Sequence, residues 1–200
     1  MIILRDPSIA LEVTKQRVLM DELIDILDES GNPTGRTCLK SEAHLKGLFH
    51  PTIHVWFYTL EGQLLFQKRA RNKDTFPSLW DVSVAGHIGA GEDIKIAATR
   101  EVEEEIGLTI AISDLEGIGM FKSMHQHSET LIDNEFHHNF LCVLKVPLSE
   151  LKRQESEVDD LKLFAWEDFK KKVEQNQLEG FVPHELSYYQ TTISEIERRI

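Results

Sequence analysis

GHIGAGEDIKIAATREVEEEIGL, residues Gly86 to Leu108, joins a glycine-rich segment to a segment of good helix formers. Glycine adopts positive φ angles at little cost and lets the backbone approach a ligand closely. From Glu92 to Ile106 the chain has neither glycine nor proline. We therefore expect a loop followed by a helix of about four turns. We expect this helix to end at Gly107, because glycine is the usual residue at a helix C-cap.

Three carboxylates share one face of this predicted helix. Glu101 lies three residues before Glu104 and four before Glu105, and residues at those spacings are neighbours on a helix surface. Arg100 and Glu103 flank this face. Acidic clusters on helices are most often solvated surfaces. Three acids that repel one another also suit a hard divalent cation, and Mg²⁺ bound together with substrate phosphates is the usual case.

The complete pattern of the stretch favours the metal site. Its fixed positions are Gly86, Glu92, Arg100, Glu101, Val102, Glu104, Glu105, Gly107 and Leu108. The pattern resembles the Nudix box at every defining position, and identities at so many fixed spacings are seldom matched by accident. The resemblance implies a Nudix pyrophosphohydrolase that cleaves a diphosphate linkage. Mg²⁺ or Mn²⁺ would be held by Glu101, Glu104 and Glu105.

Composition fits a globular domain of mixed class. The chain has 200 residues, of which 41% are hydrophobic and 28% charged, and these values suit one domain with a sizeable core. Strand-like segments lie on both sides of the central helix and further helices follow, which indicates an α/β or α+β fold with a mixed sheet between helices. We expect one domain over residues 1–200, with a core at 20–170 and with segments 1–20 and 171–200 packed on it.

Hydrophobic periodicity predicts the elements around the central stretch. An amphipathic helix is expected at residues 8–20, and the glycine, asparagine and proline of residues 31–35 predict a turn. The expected strands are 22–28, 53–60, 64–68, 79–86, 117–123, 136–146 and 161–166, and the later helices are 167–177 and 185–199.

Charge and cysteine content narrow the class of protein. A net charge of −12 argues against a nucleic-acid polymer as partner. No basic-then-apolar leader opens the chain, and no apolar run approaches the length of a membrane span. Cys38 and Cys142 make no disulfide framework. We therefore expect a cytoplasmic enzyme with a small-molecule diphosphate substrate and no membrane partner. A homodimer is compatible with the resemblance, but no segment selects a dimer surface.

A second resemblance extends beyond the box. The segments AHLKGLFHPTIHVW (43–56), LLFQKRARNKDTFPSLWDVSVAGHIGAGE (64–92) and IDNEF (132–136) are similar to the isopentenyl-diphosphate isomerase branch of the Nudix superfamily. In that branch a divalent metal binds among histidines and acids. The matching positions here are His44, His50, His87, Asp133 and Glu135. An arginine and a lysine that hold the substrate diphosphate match Arg69 and Lys73, and an acid that helps to bind a second metal matches Glu105.

Two departures from that branch argue against isomerase activity. The isomerase has a cysteine before its Gly-His pair, and this chain has Ala85 there. Proton transfer at an allylic carbon needs an acid–base group, which a methyl group cannot supply. His184, after Pro183, stands where the isomerase has a tryptophan. Because the box itself is intact, we expect the isomerase scaffold to carry a hydrolase.

The roles of the site residues follow from the needs of hydrolysis. Arg100 is expected to pair with a neighbouring carboxylate and to fix the helix against the glycine loop, a role that suits its bidentate side chain. Either Glu104 or Glu135 is expected to take the proton of the attacking water. Arg69 and Lys73 would clamp the far phosphate, although such a basic run is also typical of a solvated hairpin end. Gly86 would let the substrate approach the backbone.

Eight of the nine histidines, all except His184, divide into two groups. His44, His50 and His87 could bind a transition metal such as Zn²⁺ or Mn²⁺, because imidazole prefers these ions to Mg²⁺. Whether that site is still used is left open. The others considered are interpreted as surface or core residues, since a lone histidine is more often structural than a ligand. They are His54, His125, His127, His137 and His138.

Three functions remain open at this point. The first is hydrolysis of a nucleoside diphosphate derivative, which a pair of stacking aromatic side chains would support. The second is an isoprenoid diphosphate hydrolase or isomerase-like enzyme, which a mostly apolar pocket beside Arg69 and Lys73 would support. The third is a Nudix domain that senses a nucleotide or metabolite without turnover. That function predicts broken catalytic acids, whereas all three acids are present.

Overall fold

Nine strands and four α-helices form within residues 21–200, the part of the chain that the computed structural model describes. The strands are β1 Leu23–Leu27, β2 Pro33–Leu39, β3 His50–Tyr58, β4 Gln63–Arg69, β5 Trp80–Asp81, β6 Val84–His87, β7 Glu116–Gln126, β8 Ile132–Val143 and β9 Val158–Ala165. The helices are α1 Lys40–Lys46, α2 Ile94–Ile106, α3 Trp166–Glu174 and α4 Leu186–Glu197. The helix expected at residues 8–20 lies outside the described residues.

A seven-stranded mixed sheet organises the fold. Its main order is β5-β4-β3-β8-β7, while β6 pairs with β3 and β9 pairs with β4. β3 and β8 are parallel, with His50 opposite Glu135, and the other pairs are antiparallel. β1 and β2 form a separate hairpin. Helix α2 packs on one face of the sheet and helices α3 and α4 on the other. The predicted mixed sheet between helices is therefore confirmed.

Alternate residues of β3 belong to different cores. Ile53, Val55 and Phe57 pack in the core that contains α2, whereas Trp56 and Tyr58 pack in the core that contains α3 and α4. Successive side chains of a strand point to opposite faces. All nine residues of β3 are buried. The polar members of the strand therefore face an enclosed space rather than open solvent.

Helix α2 ends at Gly107, as its sequence predicts, and begins after an N-cap at Asp93 that was not predicted. Asp93 caps its N-terminus and accepts hydrogen bonds from the backbone N–H groups of Lys95 and Ile96 (2.9 and 3.2 Å). At the other end Gly107 adopts φ 66°, a left-handed conformation that favours glycine. None of the described helices is long and apolar enough to cross a membrane.

Several predicted boundaries differ from the observed ones. The segment expected as one strand at 79–86 is two short strands, β5 and β6, that pair with β4 and β3 respectively. The turn lies at residues 28–32, where the Asp28 carboxylate accepts hydrogen bonds from the backbone of Ser30 and Asn32, and residues 33–35 already belong to β2. β2 and α1 were not predicted, because β2 is largely exposed and polar and α1 has only seven residues.

Candidate active site

The acidic face of α2 opens onto a cavity of about 530 Å³. Glu101, Glu104 and Glu105 line it together, as the helical spacing predicts. The opposite walls come from alternate residues of β3 and β8 and from the loop after β4. Residues from α2, β3, β8 and the loop after β4 therefore lie around one cavity. The cavity contains almost all of the residues that the sequence singled out.

Arg100 holds the acidic helix against the glycine loop. Its Nε and Nη2 donate to the two carboxylate oxygens of Glu92, each at 2.9 Å, and Nη2 also donates to the backbone carbonyl of His87 (3.1 Å). Its Nη1 donates to Glu101 (2.7 Å) and to Glu104 (3.3 Å). These hydrogen bonds hold the pKa of Glu92 below its usual range. The geometry matches the positioning role predicted for Arg100.

Gly86 lies against the carboxylate of Glu101. A Cβ atom at Gly86 would lie 2.1 Å from Cδ and 2.4 Å from Oε2 of Glu101, distances that real Cβ atoms do not show. Because Gly86 has no side chain, there is room beside it for the Glu101 carboxylate of α2. This contact gives Gly86 a role besides the predicted approach of substrate to the backbone.

Glu105 is the most buried of the three acids on α2. It is 6% exposed, and its Oε2 accepts hydrogen bonds from Gln67 Nε2 (3.0 Å) and from the backbone N–H of Ala85 (3.3 Å). Burial, followed by the charge of Glu101, raises its pKa to about 8. A divalent cation next to these carboxylates would relieve both effects. The donor set of oxygen atoms and its excess of negative charge therefore fit Mg²⁺ or Mn²⁺.

We expect metal-free Glu105→Gln protein to be more stable than the wild type at about pH 9. Below pH 4.5, the ordinary pKa of this group, the carboxyl is protonated in both the folded and the unfolded chain. Between 4.5 and about 8 the unfolded chain ionises first, so the wild type loses stability as the pH rises. The neutral amide avoids this loss, which we expect to be ~2–4 kcal/mol.

Thermal unfolding at about pH 4.5 and pH 9, with EDTA and with Mg²⁺, measures this difference. The advantage of the variant should disappear at the lower pH, which provides an internal control. Addition of Mg²⁺ should stabilise the wild type more than the variant, because the cation compensates the buried charge. Equal melting temperatures of both proteins under all four conditions would contradict the proposed state of Glu105.

A second group of ligands lies on the wall formed by β3, β6 and β8. His44, His50, His87 and Glu135 each offer one ligand atom, and these four atoms lie within 4.8 Å of one another. The Nε2 atoms of the three histidines are buried and have no hydrogen-bond partner within the part of the chain that the structure describes. His50 Nδ1 lies 2.9 Å from the carbonyl of Leu48. A ring that donates from Nδ1 presents the lone pair of Nε2 to the cluster.

The remaining predicted ligand, Asp133, lies at the edge of this cluster. Its Oδ1 is 3.7 Å from His44 Nε2, while its Oδ2 is 3.1 Å from His127 Nε2. Burial lowers the pKa of His44 to about 4 and holds that of His87 well below its usual value. Neutral imidazoles with unpartnered nitrogens are suitable metal ligands. The cluster therefore fits a transition metal such as Zn²⁺ or Mn²⁺.

Arg69 and Lys73 line the cavity, but each has an acidic partner. Arg69 donates to Asp81 (3.1 Å) and to the carbonyl and hydroxyl oxygens of Thr75 (3.1 and 3.0 Å). Lys73 forms an ion pair with Glu157. Arg69 and Lys73 are thus paired at the cavity, whereas Arg71 between them is exposed to solvent. An incoming phosphate would share or replace these partners, so the structure leaves the clamping role of the two residues as a prediction.

Several histidines interpreted from the sequence as surface or core residues lie at the cavity. His54, His125 and His137 line it, and His127 contacts Asp133. His138 lies on the opposite face of β8. Polar residues alternate with apolar ones along the buried strand β3, whereas on β8 the polar residues Asn134 and His138 interrupt such an alternation. That polar residues of both strands share the face of the cavity was overlooked. These residues are His50, Thr52 and His54 on β3, and Asp133, Glu135, His137 and Asn139 on β8.

Comparison of the sequence with known proteins identifies a matching family and several relatives. A family model described as the NUDIX domain matches residues 48–184. Nudix hydrolase 3 of Arabidopsis thaliana is 32% identical over 173 residues, and the match covers 84% of this chain but only 22% of that protein. A Nudix hydrolase of Clostridium acetobutylicum is 40% identical over 141 residues, covering 69% of this chain and 67% of that protein.

Relatives of the isomerase branch and a solved structure match as well. Isopentenyl-diphosphate Delta-isomerase 2 of Photorhabdus laumondii is 33% identical over 122 residues, which cover 61% of this chain and 67% of that protein. A crystal structure from Deinococcus radiodurans has a TM-score of 0.63 at 18% identity, over 84% of this chain and 96% of that one. It shows the similarity of fold. The chain belongs to the Nudix hydrolase family, whose members similar to it include isopentenyl-diphosphate isomerases.

Proposed function

We propose that the protein is a Mg²⁺- or Mn²⁺-dependent pyrophosphohydrolase that cleaves a diphosphate linkage in a nucleoside diphosphate derivative or a related small organic diphosphate. The observation that carries this proposal is the convergence of Glu101, Glu104 and Glu105 on one cavity that Arg69 and Lys73 also line. Carboxylates for a divalent cation and basic groups for phosphate are the two requirements of such hydrolysis.

Each residue then has a task that its surroundings allow. A bound metal ion would neutralise phosphate charge and make water a better nucleophile. Glu104 is the least buried of the three acids, with its side chain 52% exposed, and it can accept a proton from water. Glu135 instead lies 3.5–3.6 Å from His50, His87 and His137. We therefore assign the general base to Glu104 rather than to Glu135.

The lining of the cavity argues against an isoprenoid substrate. Its few apolar members include Ala85, Leu131 and Val182, while most of the other lining residues are polar or charged. No cysteine lines the cavity within the described residues, so the acid–base group that the isomerase has next to Gly-His is missing. Intact acids on α2 likewise disfavour a sensor without turnover.

The test is a screen for hydrolysis products with Mg²⁺ and with Mn²⁺, in which the products are separated by ion-exchange chromatography. Cleavage of a nucleotide sugar or a dinucleoside polyphosphate yields phosphorylated products rather than free phosphate, so phosphate release alone would not detect it. The panel comprises nucleoside di- and triphosphates, nucleotide sugars, dinucleoside polyphosphates and isoprenoid diphosphates. We expect metal-dependent turnover of at least one class and little turnover of isoprenoid diphosphates. If folded, metal-loaded protein hydrolyses none of these compounds, that result would contradict the proposed hydrolase and favour the sensor.

We also propose that the cluster of His44, His50, His87 and Glu135 binds a transition metal. Protein purified without chelator should retain about one equivalent of Zn²⁺ or Mn²⁺, and His44→Ala should lower that content severalfold. His138→Ala, on the other face of β8, is the matched control and should retain the metal. Elemental analysis measures all three proteins. Less than about a tenth of an equivalent in the wild type would contradict this site.

A further inference from the structure

Three further imidazole rings pack together on the cavity wall. His54 and His137 are stacked with ring centroids 4.0 Å apart, and the ring of His184 lies 5.3 and 5.6 Å from them. All three line the same cavity as the acids of α2. None of them belongs to the proposed metal cluster. We call His54, His137 and His184 the inner histidine group.

One nitrogen of each ring is fixed by a neighbour within the protein. His54 Nδ1 lies 2.7 Å from the Tyr188 hydroxyl, and His137 Nδ1 lies 2.7 Å from the Thr52 hydroxyl. His184 Nε2 lies 3.1 Å from the carboxylate of Asp81. These contacts hold the orientations of the rings. They also determine which nitrogens are left for a ligand.

Two of the remaining nitrogens are buried and have no hydrogen-bond partner among residues 21–200. They are Nε2 of His137, a residue that is 3% exposed, and Nδ1 of His184, whose side chain is 7% exposed. Both residues also line a second cavity of about 190 Å³, next to Ser123 and Tyr188. His137 and His184 therefore line both cavities. Buried polar atoms are normally paired, so these two call for a ligand or ordered water.

The chemistry of the two nitrogens selects a polar ligand. The Asp81 carboxylate accepts hydrogen bonds, so His184 donates from Nε2. Its Nδ1 accepts in the neutral ring and donates in the protonated ring. His137 Nε2 donates or accepts according to its tautomer. A hydroxyl group satisfies both nitrogens, because it can donate and accept. A hydrocarbon would leave both atoms buried and unpaired, which is unfavourable.

A metal ion is not the ligand indicated here. Within the described residues, the group of histidines and acids whose ligand atoms converge closely enough for a metal is His44, His50, His87 and Glu135. The inner histidine group does not meet that distance. Its rings contact one another edge to face or face to face, and all three residues line the cavity. This arrangement is suited to an organic group.

We propose that the inner histidine group binds the organic part of the substrate and selects a hydroxylated group, such as a sugar, over a hydrocarbon. The inference rests on the proposed function, since the organic group is carried there by a diphosphate held near Glu101, Glu104 and Glu105. His137 and His184 are then specificity-determining residues. They differ in this from the acids of α2, which serve any diphosphate.

Two five-carbon diphosphates test the proposal. Ribose 5-diphosphate carries hydroxyl groups and isopentenyl diphosphate carries none. We expect the wild type to prefer ribose 5-diphosphate by about tenfold or more in kcat/KM, since a site built to hydrogen-bond its substrate rejects analogues that lack the partner. His137→Leu and His184→Phe should each lower this ratio about tenfold. His138→Leu, on the opposite face of β8, should leave it unchanged.

The outcomes separate this proposal from the proposed function. If the wild type and both folded variants hydrolyse the two compounds with the same ratio of kcat/KM values, the specificity role is overturned. Ordered water would then be the partner of the two nitrogens. If neither compound is hydrolysed, calorimetric binding of the same two compounds decides. Tighter binding of ribose 5-diphosphate that is lost in His137→Leu supports the proposal. Equal or tighter binding of isopentenyl diphosphate overturns it.

Discussion

Glu104→Gln protein is expected to release phosphate about a thousandfold more slowly than the wild type, within the range that a general base contributes. The amide keeps the size of the side chain but cannot accept a proton from water. Because the Glu104 side chain is about half exposed and accepts only a 3.3 Å hydrogen bond from Arg100, the fold should be unaffected. Steady-state phosphate release and a thermal melt of the same sample measure both expectations.

Glu103→Gln is the matched control for this experiment. Glu103 is the neighbouring exposed acid on α2 and does not line the cavity. The same loss of charge on the same helix should therefore leave phosphate release within about twofold of the wild type. If both variants lose activity equally, the effect is one of helix charge. If neither loses activity, Glu104 is not the base and Glu135 becomes the alternative.

Gly86→Ala is expected to lower kcat about a hundredfold, the effect of displacing a catalytic group by about 1 Å. A methyl group at this position would overlap the Glu101 carboxylate, whose Cδ lies 2.1 Å from the ideal Cβ position. Glu101 must then move away from its hydrogen bond with Arg100. Kinetics with saturating Mg²⁺ measures the loss, and a crystal structure of the variant shows the displacement.

Gly117→Ala is the matched control for the glycine substitution. Its Cβ would lie 3.7 Å from the ring of Phe140, which is ordinary van der Waals contact. It should therefore keep wild-type kcat. A Gly86→Ala protein with normal kcat and an unmoved Glu101 would show that the helix and the loop adjust together, and would contradict a fixed packing between them.

The part of the site that could be predicted from the sequence lies within one continuous segment. The spacing of Glu101, Glu104 and Glu105 on a helix fixes their relative positions without knowledge of the rest of the fold. The caps at Asp93 and Gly107 are likewise local features. A loop and a helix that follow one another directly carry all the information needed to place Arg100 against Glu92.

The other walls of the cavity depend on contacts between distant segments. His54 and His137 stack because β3 and β8 pair in parallel with a register that places Thr52 opposite His137. Thr52 and His137 are 85 positions apart. Periodicity within one strand does not specify which strand it pairs with. His184 approaches from the segment before α4. Alternation could have marked the polar face of β3, but not that of β8, where Asn134 and His138 are polar as well, and not the group that the histidines form.

The acids of α2 and the inner histidine group lie on different segments of the chain, and this separation has an evolutionary consequence. The acids of α2 come from one short coding segment, whereas the inner histidine group comes from three segments spread over β3, β8 and the approach to α4. On each strand the neighbouring residues face a separate apolar core. Single substitutions can therefore change which organic group is accepted while the hydrolytic residues and the core beneath them are inherited unchanged. A lineage with this fold can acquire new substrates by point mutation, without insertions or new loops.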